Sequence, residues 1–117
     1  MKKVIPKNAV LVPDQADKVF EGMIFDVYQW PQKLFDGSEY TFEMLKRTDT
    51  ATVICVVDDK LLVIEDEQPH LGKRISLPGG RVDDNDDSTL DAAVREIKEE
   101  TGCEFINWRL IKVSQPY

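Results

Sequence analysis

Three glutamates close together carry the first chemical signal in this chain. Glu96, Glu99 and Glu100 stand at i, i+3 and i+4 within "AVREIKEETGC". At about 100° per residue, that spacing puts all of them on one side of a helix. Carboxylates so placed repel one another unless a counter-charge is present. Their oxygens can also converge on a hard divalent cation, and magnesium combines a few carboxylates with water and substrate phosphate. A solvated glutamate-rich face has the same pattern, so the glutamates alone leave both readings open. Arg95 lies four residues before Glu99 and can pair with it.

The stretch just upstream, "LPGGRVDDNDDST", places a glycine pair before a dense run of acids. Glycines permit a tight turn and leave the backbone bare, so a carbonyl at Gly79 could face the same metal. The acids invite comparison with an EF-hand loop. Asp83, Asn85 and Asp87 suit its positions 1, 3 and 5, but Ser88 replaces the glycine of position 6 and Val94 the glutamate of position 12. The preceding segment is also strand-like, so the EF-hand is rejected.

The elements that must position these residues can be read from capping and periodicity. A helix is predicted from about Ser88 to Thr101. Ser88 is its N-cap, Asp91 forms a capping box with a shorter acid, and Gly102 is a left-handed C-cap. Leu90, Val94 and Ile97 form the expected core stripe, with Ala93 at its edge, while Ala92 lies among the glutamates. Before the helix the pattern is mostly strand. The first twenty residues read as extended or irregular. "MIFDVYQW" suits a strand ended by Pro31, and Asp36-Gly37 turns it toward "YTFEMLKR". "ATVICVV" is apolar on both faces and predicts a central strand. "DDK" turns the chain into "LLVIED", and "KRISLP" leads to the glycine pair. "FINWRLIKV" after the helix has strand residue types.

Composition limits the function. At 117 residues and 42% hydrophobic content, the chain suits one globular domain. Its net charge of −7 argues against a nucleic-acid partner. The imbalance is local, because eight acids between Asp83 and Glu100 face only Arg95 and Lys98. There is no signal-peptide pattern and no segment of membrane-spanning length, so no membrane partner is expected. Cys55 and Cys103 lack metal-site spacing and read as reduced thiols of a cytoplasmic protein.

The run "GRVDDNDDSTLDAAVREIKEETGC" resembles the Nudix box, Gly-x5-Glu-x7-Arg-Glu-U-x-Glu-Glu-x-Gly-U, where U is a bulky apolar residue. Arg95, Glu96, Ile97, Glu99, Glu100 and Gly102 match in type and spacing, and Cys103 takes the last apolar position. The first acid departs from the pattern. Counting back from Arg95 selects Asp87, whereas counting forward from Gly80 selects Asp86, so the loop holds one extra residue. The resemblance is strong over residues 77–103 and weak elsewhere.

The resemblance implies an α+β fold, a Nudix-type mixed β-sheet with a loop-helix-loop box. One Nudix-like domain would span residues 1–117, with N-terminal strands over 1–50. Its final strands and closing helix would be missing, as in a truncated chain or one completed by a partner. The implied reaction is hydrolysis of a nucleoside diphosphate linked to another group, X. The Gly79 carbonyl with Glu96, Glu99 and Glu100 would bind Mg2+ or Mn2+. Arg95 would orient the glutamates, Asp87 or Asp86 would anchor the loop, and Glu99 is one candidate base. The N-terminal layout is similar to the ADP-ribose pyrophosphatase branch, which implies a small-molecule nucleotide substrate and a possible homodimer. Tyr28, Trp30 or Phe42 could stack on an adenine or simply pack in strands. His70 falls in the "QPHLGKR" loop and reads as a surface residue rather than a catalytic one, while Lys73 and Arg74 could reach substrate phosphates or simply be exposed. Two other readings stay open: a nucleoside triphosphate pyrophosphohydrolase, and a nucleotide-binding module without turnover.

Overall fold

Turn chemistry and alternating side chains build the N-terminal strands of the computed structural model, which describes residues 3–115. β1 (Asp17–Glu21), β2 (Phe25–Lys33) and β3 (Glu39–Arg47) form an antiparallel sheet in that order. The β2–β3 register runs unbroken from Phe25↔Arg47 to Lys33↔Glu39. In its turn Gly37 takes φ 88°, and the Ser38 N–H donates to the Asp36 carboxylate at 2.9 Å. β1 falls at the end of the stretch expected to be extended or irregular, and β2 continues through Pro31 instead of ending there. β1 pairs with β2 only as far as Gln29, so at Pro31 β2 has an unpaired side, where a proline is tolerated.

Backbone contacts divide the chain into two compact units, one built around residues 6–48 and the other around residues 49–113. Gln115 belongs with the first. Its side-chain amide accepts from the Val10 N–H at 2.8 Å and donates to the Val10 carbonyl at 2.8 Å.

The second unit contains β4 (Thr50–Thr52), β5 (Val56–Val57), β6 (Lys60–Leu61), β7 (Ile64–Gln68), β8 (Gly72–Ser76), β9 (Gly79–Arg81) and α1 (Thr89–Thr101). β4 pairs with β9, β5 with β6 and β7 with β8, each antiparallel. The single central strand expected from "ATVICVV" is divided into β4 and β5. The ladder still extends a little, because the Val53 N–H donates to the Pro78 carbonyl at 2.9 Å.

The expected mixed sheet is replaced by antiparallel pieces among the described residues. Parallel pairing needs a crossover, usually through a helix. α1 is the one helix among the described residues, and residues 102–115 after it pair with no strand. "FINWRLIKV" closes on itself locally instead. The Trp108 indole N–H donates to the Phe105 carbonyl at 2.9 Å, and the two rings meet edge to face at 6.3 Å. The fold is thus α+β, with one helix and several small antiparallel sheets. Among the described residues, no helix is long and apolar enough to cross a membrane.

The helix caps follow the sequence. Ser88 Oγ accepts from the Asp91 N–H at 3.1 Å, and Gly102 adopts φ 72° with its N–H on the Lys98 carbonyl at 2.9 Å. Asp91 closes the box on the Ser88 hydroxyl at 3.0 Å. The buried face differs from the expected stripe. Ala92, Ala93 and Ile97 are buried, whereas Leu90 and Val94 are exposed. α1 lies against β4 and β9, where Ala51 and Gly80 are paired. Small residues on both sides allow close approach, so the helix turns its alanine side inward. Val82, Cys55 and Pro78 complete this buried region.

Candidate functional site

Arg95 is the hub of the box. Its Nε donates to Asp86 Oδ1 at 3.0 Å and its Nη2 to Asp86 Oδ2 at 2.8 Å, a two-pronged contact. Nη2 also donates to the Arg81 carbonyl at 3.1 Å and lies 3.3 Å from Asp83 Oδ2. Nη1 donates to Glu96 Oε1 at 3.1 Å and to Glu99 Oε2 at 3.4 Å. One guanidinium therefore ties the acidic loop, the end of β9 and the glutamate face of α1 together.

Of the two candidates for the first acid, Asp86 makes these contacts. A turn aims it inward: the Asp86 N–H donates to the Asp83 carbonyl at 3.0 Å, and Asp86 Oδ2 accepts from the Asp83 N–H at 2.8 Å. Asp86 is buried and Asp87 is exposed, one residue before the N-cap. The extra residue of the loop thus falls between Asp86 and Arg95. The Arg95 guanidinium holds the Asp86 carboxyl below its ordinary pKa, with the Asp83 N–H adding to the effect. Asp86 in turn raises that of Arg95. Asp83 is a second partner of Arg95. Only the three-residue step from Asp83 to Asp86, which suits a turn, could have signalled it.

The glutamates sit close to the glycine pair. The Glu96 side chain is 16% exposed and packs against Gly80, where an added Cβ would collide with its carboxylate. Gly79 has φ 154°, and a Cβ there would run into the Ala51 carbonyl. The Gly79 N–H donates to Glu100 Oε2 at 3.3 Å. It is the amide N–H of Gly79, not the carbonyl expected to face a metal, that meets a glutamate. Glu99 is more open than Glu96, with its side chain 58% exposed.

The donor set suits a hard divalent cation. Three carboxylates occupy the last two turns of α1, at the negative end of the helix dipole. Arg95 is already shared with Asp86 and Asp83, so it leaves this face with excess negative charge. As placed, however, no three acidic, histidine or cysteine side chains among the described residues converge to hold a metal. Arg95 holds Glu96 and Glu99, and Glu100 leans on Gly79, so closing around an ion requires side-chain rotation.

Next to Gly79 and Glu100 lies a cleft of about 480 Å³, walled by Ile64, Asp66, Gln68 and Ser76 of the β7–β8 hairpin. Nothing in the sequence marked it. His70 is exposed at the hairpin turn, and Lys73 and Arg74 lie on β8. In the first unit, Trp30 is buried. It meets Phe42 edge to face at 6.1 Å and donates its indole N–H to Gln32 at 3.0 Å. Tyr28 lies between Lys18 and Lys46, whose ammonium groups are 6.0 and 5.8 Å from its ring centre.

No curated protein matches the chain significantly. The family model of the NUDIX domain matches residues 46–116, which includes β4 to β9, α1 and every residue of the Arg95 hub. The chain belongs to the NUDIX family.

Proposed function

We propose that the chain is a metal-dependent pyrophosphohydrolase of nucleoside diphosphates linked to a second group, such as ADP-ribose or a nucleoside diphosphate sugar. The observation that carries this reading is the Arg95 hub, which holds the loop acid Asp86 and the helix acids Glu96 and Glu99 on one guanidinium. A bound Mg2+ or Mn2+ would neutralise phosphate charge and lower the pKa of a water. Glu96, Glu99 and Glu100 would hold it, with the Gly79 backbone as a further donor. Glu99, more open than Glu96, takes the proton of the attacking water. The water oxygen bonds to one phosphorus, the bond from that phosphorus to the bridging oxygen breaks, and two monophosphate esters leave.

A binding module without turnover is the second reading. It is favoured by the carboxylates that do not converge as placed. One panel separates the two. With magnesium present, ADP-ribose, a nucleoside diphosphate sugar and a nucleoside triphosphate are incubated with the chain, and the products are identified. AMP from ADP-ribose, lost to background in Glu100→Gln, is the expected result. Pyrophosphate from the triphosphate alone would move the substrate to that class. Nucleotide binding without product would establish the module.

A further inference from the structure

The loop between β9 and α1 is pinned at both ends. The Val82 side chain is buried, and its N–H donates to the Asp49 carbonyl at 2.8 Å. Ser88 is the extended N-cap of α1, at φ −157° and ψ 168°. Between them the Asp83–Asp86 turn folds the chain back, with Asp84 and Asn85 at its tip. Asp86 Oδ2 accepts from the Asp83 N–H and from Arg95 Nη2, each at 2.8 Å. An acid that accepts from the backbone of its own turn must be short. A glutamate would carry its carboxylate roughly 1.5 Å further out, the length of one carbon–carbon bond, and would not keep both contacts.

Asp87 is then the one residue that joins this turn to the N-cap. It is exposed at a bend, whereas the loop's contacts with Arg95 come from Arg81, Asp83 and Asp86. Eight residues separate Asp86 from Arg95 where the box pattern has seven, and Asp86 is one methylene shorter than the glutamate of that pattern. We propose that these two departures compensate each other. Asp87 is a spacer whose backbone, not its carboxylate, sets the short Asp86 on Arg95, and so positions Glu96 and Glu99 through Arg95. Without it, Asp86 would have to close its turn on Asp83 and reach the N-cap in a single step. The consequence for metal binding rests on the hydrolase reading above, and the contact with Arg95 does not.

Four chains test the pairing: wild type, deletion of Asp87, Asp86→Glu, and the two changes combined. Exchange of the Arg95 Nε proton, followed by NMR, reports the contact with Asp86 without any metal. Calorimetric titration with Mn2+ reports the glutamates. Each single change should speed that exchange and lower Mn2+ affinity, both by about tenfold or more. The combination should return both to within about threefold of wild type, because residues that share contacts depart from additivity. Asp87→Ala keeps the spacing and should leave the Arg95 proton as protected as in wild type. Should a single change unfold the chain, the urea midpoint becomes the readout, and the combination should recover it. A combination no better than the worse single change would overturn the proposal. So would a deletion that leaves the Arg95 proton protected, or an Asp87→Ala chain as impaired as the deletion. A wild type that protects the Arg95 proton but fails to bind Mn2+ would overturn the hydrolase reading and leave the spacer standing.

Discussion

A single guanidinium with contacts on every nitrogen makes Arg95 the residue whose replacement is most informative. Lysine keeps the charge but cannot bridge two oxygens of Asp86 while also reaching Glu96. Arg95→Lys should lower magnesium affinity or turnover by about 10- to 100-fold, as losses of orienting partners around metal ligands typically do. Manganese titration followed by electron paramagnetic resonance would measure the first effect without relying on activity. Asp86 supplies the pH dependence. Its folded pKa lies below the ordinary value of 3.8. The unfolded state therefore binds the proton more readily, so the stability that Asp86 adds is complete above that value and is lost as pH falls through the folded one. Urea midpoints measured from pH 6 down to pH 2 should drop more steeply for the wild type than for Asp86→Asn.

At the scale of elements, the contact between β9 and α1 decides how the glutamates are held. Gly80→Ala places a methyl group where the Glu96 carboxylate lies. The side chain must swing away, so metal affinity should fall by about 10- to 100-fold. Calorimetric titration with Mn2+ would show it, with far-UV circular dichroism to confirm that α1 persists. The helix itself was legible because its signals are local: Ser88, Asp91 and Gly102 act within a few residues of one another. Its buried face was less so. Leu90 and Val94 fit an apolar stripe, but the neighbouring Ala51 and Gly80 accept a small, close-fitting side, and sequence periodicity does not report what the partner strand offers. The same holds for the first acid. Counting could not choose between Asp86 and Asp87, since the choice rests on the hydrogen bonds of the Asp83–Asp86 turn.

At the scale of the whole molecule, the chemistry of the box was legible and the arrangement of the strands was not. Pairing depends on residues far apart in the chain. "ATVICVV" and "FINWRLIKV" have strand residue types, yet the first divides and the second closes on Trp108, because a strand exists only where a partner meets it. Exposed Val56, Leu61, Ile75, Leu110 and Ile111 mark where apolar composition suggested burial that pairing did not deliver.

The Gln115 amide on the Val10 backbone spans 105 positions, which gives it a kinetic meaning. Closing a loop of that length is entropically costly and is rewarded only after the intervening strands have formed. The Val10 amide should therefore be among the last to gain hydrogen-exchange protection during refolding. Gln115→Ala should remove that protection while leaving the amides of α1 unchanged, so that one backbone proton near the start of the chain reports when folding is complete.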